Sequence, residues 1–355
     1  MIALQQDVSL AELTTIGLGG KAKYFVCCET RDELVAGIRV ADEYGMPLHV
    51  LGGGSNTIFR DEGFEGLVMK VALRGIRYVQ NGADVTLSVA AGEDWDAFVR
   101  FCVAHGFGGV ECLSGIPGLV GAVPMQNVGA YGQEAAETIV EVCAINRRTL
   151  EHVRFSNAEC RFGYRRSRFN AEDLNAFVIT EVTFRLRAEA EARLAYPELR
   201  AYAESQLQLS QLKPGLEQLA AVREAVLALR RRKSMVIDPN DPNSRSVGSF
   251  FKNPILTPEA FDELKARCRE LGIVNQPPTF AHDGHVKVPA AWLVENAGYS
   301  KGFRKGGVGI SANHALALVN FGGTTRELLS LAAEIQAAVA ARFGIRLERE
   351  PVVVS

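Results

Sequence analysis

The chain has 355 residues, 47% of them hydrophobic and 23% charged, with a formal net charge of −2. This allows two or three domains with a sizeable core. It excludes the strongly basic surface on which nucleic-acid binding depends. No apolar run approaches a membrane span. The opening MIALQQDVSL lacks a basic start and a long apolar segment, so a cytoplasmic protein with no nucleic-acid or membrane partner is expected.

In chain order, KYFVCC at 23–28 predicts a strand. Thr30 and Glu33 predict a capping box that opens a helix carrying Leu34, Ile38 and Ala41 inward and ending near Gly45. Pro47 to Leu51 is a short apolar strand that runs into Gly52-Gly53-Gly54-Ser55-Asn56, so strand, helix, strand and glycine loop form a βαβ unit. Leu67–Val71 and Val85–Val89 are further strands. Trp95, Phe98, Val99, Cys102 and Val103 mark one face of a helix closed by Gly106. Strands recur at Val140–Ile145, His152–Phe155 and Phe177–Leu186. Residues 187–213 are polar and rich in Ala, Glu and Gln, and they read as an excursion between domains. Leu219, Val222, Val226 and Leu229 space out a helix that ends in Arg230-Arg231-Arg232-Lys233. A Thr324/Glu327 capping box starts the last helix, with Leu328, Leu331, Ile335 and Val339 inward and Gly344 as its stop. Residues 345–354 return to strand character.

Seven cysteines are scattered without a C-x-x-C pair, which fits reduced thiols. His282 and His285 form H-x-x-H with no further close ligand, so no metal site is expected.

The stretch 113–132, LSGIPGLVGAVPMQNVGAYG, holds five glycines, two prolines and no charge. It predicts irregular backbone pressed against a large ligand, or else a tightly packed set of turns inside a domain. Glycines let main-chain N–H groups approach a ligand and line an anion-binding concavity. GGGSN at 52–56 lacks the G-K-[ST] of a P-loop and the G-x-G-x-x-G of the common dinucleotide fold. Two separate backbone nests nevertheless suit the two phosphates of a dinucleotide.

Four other segments offer chemistry. Arg165, in CRFGYRRS, is either a carboxylate or phosphate clamp or a solvated basic strand end. Ser249, in SVGSFFKNP, has Lys252 and Asn253 close behind. It is either a proton donor whose alkoxide a cation would stabilise, or part of a phenylalanine-anchored turn. Leu347-Glu348-Arg349-Glu350 is either a solvated charge cluster or a source of one inward carboxyl. Tyr196, in LAYPEL, is either a surface aromatic or a stacking residue on a loop.

LGGGSN, SGIPGLVGAVPMQNVGAYG, CRFGYRRS, GSFFKNP and LERE, in this order and spacing, resemble the UDP-N-acetylenolpyruvoylglucosamine reductase (MurB) family, flavoenzymes of peptidoglycan precursor synthesis. The resemblance runs from Leu13 to Glu350, and LAYPEL matches the form with a substrate-closing tyrosine loop. It implies an α+β chain of three domains. Two form a vanillyl-alcohol-oxidase/PCMH-type FAD-binding module: 1–72 with 344–355, and 73–213 including the excursion. The third, 214–343, is an α+β substrate-binding domain. It implies non-covalent FAD held by Gly52, Gly53, Gly54, Ser55, Asn56, Ser114, Gly115, Ile116, Pro117, Gly118, Gly121, Gln126 and Asn127. NADPH is the implied reductant and UDP-N-acetylglucosamine enolpyruvate the implied substrate, with UDP-N-acetylmuramate as product.

The same resemblance implies hydride transfer from flavin N5 to C3 and a proton from Ser249 to C2. Arg165 and a protonated Glu350 would stabilise the enolate. Tyr196, Lys233, Lys252 and Asn253 would hold the UDP and the carboxylate. A monomer is expected. The alternatives are a flavin-dependent alcohol or sugar oxidase of the same fold, or a non-catalytic sugar-nucleotide binding protein. No histidine lies in 52–56 or 113–132 to tether a flavin there, which disfavours the covalent oxidases.

Overall fold

The computed structural model describes residues 2–192 and 194–355. Contacts divide the chain into two compact units. Unit 1 comprises Met1–Val8, Ala22–Gly54 and Phe64–Val236, and unit 2 comprises Ser9–Lys21, Ser55–Gly63 and Ile237–Ser355. These lines differ from the three-part division read from the sequence: Leu216–Arg232 falls in unit 1 and residues 344–355 fall in unit 2.

In unit 1 a four-stranded sheet runs in the order Gln5–Ser9, Lys21–Cys28, Phe64–Val71, Leu48–Leu51. The last three strands are parallel. The expected βαβ unit is present, with Phe64–Val71 inserted between its two strands. Its helix α1, Arg31–Glu43, has the full Thr30/Glu33 box: the Glu33 N–H donates to Thr30 Oγ1 and the Thr30 N–H to Glu33 Oε2. Leu34, Ile38 and Ala41 are buried beneath it.

A second sheet is antiparallel, in the order His152–Ser156, Ile139–Asn146, Phe177–Ala188, Asp84–Ala90, Ile76–Asn81. Helix α2, Trp95–Ala104, buries all five residues of its predicted face. Phe98 packs against Phe184 with ring centroids 4.9 Å apart and the rings tilted by 36°. Each such fully buried aromatic contributes about 1.5–3 kcal/mol through the area removed from water. A one-turn helix, α3, covers Asn157–Cys160.

The polar stretch 187–213 is more structured than its composition predicts. It carries helix α4, Pro197–Leu207, with Pro197 in the first turn, where a missing N–H costs nothing. Leu199, Ala203 and Leu209 are buried with Ala221, Val222 and Ala225 of helix α5, Leu216–Arg232. Two inward positions four residues apart suffice to dock a helix, and they leave its mean composition polar.

Unit 2 holds an antiparallel sheet in the order Ser246–Ser249, Ala317–Asn320, Val308–Ile310, Arg304–Lys305. Helices α6 (Pro258–Glu270), α7 (Ala290–Asn296) and α8 (Thr325–Phe343) pack in the same core. Leu328, Leu331, Ile335 and Val339 are buried as predicted, and Gly344 ends α8 in the left-handed conformation. The Asp61 carboxylate accepts from the N–H groups of Thr325 and Arg326 at 2.8 and 2.9 Å, placing an anion at the positive end of the helix. His282 and His285 pair across a hairpin. The predicted C-terminal strand is shorter than expected: only Val352–Val354 forms one, parallel to Thr57–Phe59. No helix among the described residues is long and apolar enough to cross a membrane.

Candidate active site

The two glycine regions, about sixty residues apart in sequence, meet backbone to backbone in unit 1. A Cβ built on Gly53 would lie 2.7 Å from the Gly118 Cα. Gly118 has φ 131°, a conformation that side chains rarely tolerate. Gly52–Gly54 follow the carboxyl end of the parallel strand Leu48–Leu51, the usual ligand end of such a sheet.

The stretch 113–121 is strung along the start of α2. The Trp95 N–H donates to Gly118 O at 3.0 Å and its indole Nε1–H to Leu113 O at 3.0 Å. The Val120 and Gly121 N–H groups donate back to Glu93 O and Ala91 O, both at 2.9 Å. Asp96 takes the Gly115 N–H at 2.5 Å, and Arg223 of α5 grips the same carboxylate with both Nη atoms at 2.6 and 2.7 Å. Burial alone would raise the Asp96 pKa. The hydrogen bonds from Arg223 and Gly115 outweigh it and hold the carboxyl below its ordinary range.

These hydrogen bonds divide the expected FAD contacts into two groups. Gly115 and Gly121 spend their N–H groups inside the protein, and Ser114 donates its hydroxyl to Glu111 O at 2.6 Å. Among the described residues, the N–H groups of Gly53, Gly54, Ile116 and Gly118 meet no protein acceptor. They are the donors the two loops offer to an anion, and Pro117 offers none. Gln126 is half-buried on the same stretch.

Asn127 is 1% exposed, and its amide is engaged three times. Nδ2 donates to Glu134 Oε2 at 2.8 Å and Gly163 O at 3.1 Å, and Oδ1 accepts from the Ala136 N–H at 3.0 Å. Arg165 lies on a tight turn at φ 54° and donates from Nη2 to Gly129 O at 3.0 Å. It is therefore an anchored residue and not a solvated strand end.

A third cluster gathers the tyrosine segment. The Tyr196 and Tyr131 rings meet edge to face with centroids 5.4 Å apart. Lys233 pairs with Glu198 at 2.8 Å and lies 5.9 Å from the Tyr131 ring centroid. Burial pushes the Tyr131 hydroxyl up to about 12.

In unit 2 the segment 250–252 pairs antiparallel with 348–350. Lys252 N–H donates to Glu348 O and Glu350 N–H to Phe250 O, both at 2.9 Å, around a bridge between Phe251 and Arg349. A hundred residues of sequence separation thus close to one residue of register between Ser249 and Glu350. Asn56 clasps the same place: its Nδ2 donates to Glu350 O at 3.3 Å and its own carbonyl accepts from the Val352 N–H. Ser249 follows an irregularity in its strand, where Ser246 pairs Val319 and Ser249 pairs Ala317, with Gly248 at φ 77°. Such a bulge re-aims the side chain beyond it. The half-buried Ser249 hydroxyl meets no hydrogen-bond partner among the described residues. Asn253 Oδ1 accepts from the Ala290 N–H at 2.9 Å, and Lys252 pairs with Glu348 at 3.4 Å.

The chain is 48% identical over 353 residues to UDP-N-acetylenolpyruvoylglucosamine reductase of Thermobifida fusca, covering 98% of this chain and 97% of the relative. It belongs to the UDP-N-acetylenolpyruvoylglucosamine reductase family. The Streptomyces coelicolor member is 47% identical over 351 residues, with 98% of this chain and 89% of that one aligned. The family model for the C-terminal domain of UDP-N-acetylenolpyruvoylglucosamine reductase matches residues 239–354, and the FAD binding domain model matches 22–148. In fold the chain is similar to the crystal structure of UDP-N-acetylenolpyruvylglucosamine reductase (MurB) from Thermus caldophilus, with TM-score 0.67, 24% identity and full coverage of both chains. The α+β architecture with an FAD-binding module, expected from the sequence, is thereby borne out.

Two groups at the glycine loops of this family member escaped the sequence reading. One is the Asp96–Arg223 pair. The other is Arg230, whose Nη2 donates to Met235 O at 2.7 Å while its buried Nε meets no acceptor among the described residues. That Nε would lie 3.4 Å from a Cβ on Gly115. The signal for Arg230 was the run of cations closing α5, which composition alone reads as a solvated helix end.

Proposed function

We propose that the chain reduces UDP-N-acetylglucosamine enolpyruvate to UDP-N-acetylmuramate in the cytoplasm, drawing electrons from NADPH through non-covalent FAD. The observation that carries this reading is 48% identity across 98% of the chain to a reductase of that name. The glycine loops fit the cofactor. They approach at backbone distance, and their acceptor-free N–H groups suit a diphosphate.

When bound, FAD supplies the hydride for C3 of the enolpyruvyl double bond. The chain's own residues handle the charge and the proton that follow. The Ser249 hydroxyl donates to C2, and its place after a bulge, with no hydrogen-bond partner among the described residues, suits a group that must move a proton. The Arg165 guanidinium balances charge building on C2 and its carboxylate, a job for a fixed planar fork. Glu350, protonated, donates to the same charge. Lys233, Lys252, Asn253 and Tyr196 hold the nucleotide and the carboxylate.

An anaerobic titration tests the reading. The purified protein carries a flavin spectrum that bleaches with NADPH and recovers on one equivalent of the enolpyruvyl sugar nucleotide. A folded protein that retains no FAD, or reduced flavin indifferent to that substrate, would overturn it.

A further inference from the structure

We propose that Asn127, Gly129 and Ser167 are positioning residues that set the Arg165 guanidinium, and that the Asn127 side chain acts through Arg165 rather than on the cofactor. The proposal rests on the catalytic reading of Arg165 given above.

Three hydrogen bonds staple the turn at 163–167 to alternate residues of 125–129. Ser167 Oγ donates to Met125 O at 2.7 Å, Asn127 Nδ2 to Gly163 O at 3.1 Å, and Arg165 Nη2 to Gly129 O at 3.0 Å. Asn170 closes the turn from behind, donating from Nδ2 to Arg165 O at 3.1 Å and accepting the Ser167 N–H at 2.9 Å. Ser167 is fully buried and Asn127 nearly so. Both amide hydrogens of Asn127 are used and its oxygen already accepts once, so a single lone pair remains for anything else.

Asn127 and Arg165 both have positive φ, 46° and 54°. Non-glycine residues persist there when their surroundings over-determine them. Here each side of the staple holds the other. Gly129 completes the seat: a Cβ there would lie 3.0 Å from Glu134 Cγ and 3.4 Å from Arg165 Nη1, so the missing side chain is the space beside the guanidinium.

Asn127→Ala, Gly129→Ala and Arg165→Ala, with the Asn127→Ala/Arg165→Ala double variant, test this in the FAD-loaded enzyme by following the two half-reactions separately. The expected Asn127→Ala enzyme retains FAD and bleaches with NADPH at the normal rate. Its recovery by the enolpyruvyl substrate slows about 10- to 100-fold, the scale of an ångström of misplacement. Added to Arg165→Ala, the same change costs nothing further, because its only route is already gone. Gly129→Ala gives the same pattern and carries the test alone if Asn127→Ala does not fold. Weakened FAD retention, slowed bleaching, or an additive loss in the double variant overturns the proposal. If Arg165→Ala itself leaves recovery intact, the catalytic reading of Arg165 has failed, and this proposal falls with it by a different result.

Discussion

Asp96 offers the sharpest structural prediction. Asp96→Asn keeps the shape of the side chain but removes the charge, and it turns one acceptor into a donor facing Arg223. Three charge-assisted hydrogen bonds are at stake, at 2.5, 2.6 and 2.7 Å. A fully buried pair broken on one side costs about 3–5 kcal/mol, and an exposed one about 0–1. The Arg223 side chain is 13% exposed and that of Asp96 34%, so the cost falls between, at about 2–3 kcal/mol. For a unit of this size that lowers the melting temperature by about 5–10 °C.

The pH dependence has a definite sign. The carboxyl pKa is lowered in the fold, so its stabilisation is present above the ordinary value near 4 and is lost as pH falls through the lower folded value. Thermal melts of wild type and Asp96→Asn should differ fully at pH 7 and begin to converge as pH falls below about 4. Melting within about 1 °C of wild type at pH 7, or a gap that ignores pH, would refute the reasoning.

Two further outcomes follow from the geometry. Gly53→Ala places a methyl 2.7 Å from the Gly118 Cα and should strip FAD from the purified protein, whereas Gly52→Ala meets only Ala122 Cβ at 3.6 Å and should leave the flavin absorbance per chain unchanged. His49 is held neutral by burial and by Arg147, its pKa lowered to about 4. The unfolded chain binds the extra proton between about pH 6.5 and 4. Denaturant titrations should therefore show stability falling with pH there, by up to about 1.4 kcal/mol per unit from this group, and His49→Leu should remove that slope.

What the sequence disclosed was mostly local. The Thr30/Glu33 and Thr324/Glu327 boxes and the inward faces of α1, α2, α5 and α8 depend on neighbours three or four residues away, and they are present as read. The edge strand Ile76–Asn81 carries no burial signal in the sequence, because it is exposed almost throughout. The C-terminal strand is shorter than its apolar composition suggests, because residues 348–350 pair through a single bridge. Within the candidate site, the glycine loops were legible from composition. That Asp96 takes the Gly115 N–H, and that Asn127 spends its amide on Glu134, Gly163 and Ala136, depends on contacts that no sequence period encodes.

The proposed reduction depends on a proton from Ser249. Ser249→Ala enzyme, loaded with FAD and mixed first with NADPH and then with the enolpyruvyl sugar nucleotide, tests it most directly. Bleaching should proceed at the wild-type rate, and recovery should slow by about 10²–10⁴-fold, the usual weight of a positioned acid. Recovery at the wild-type rate, or equal slowing of both halves, would contradict the account.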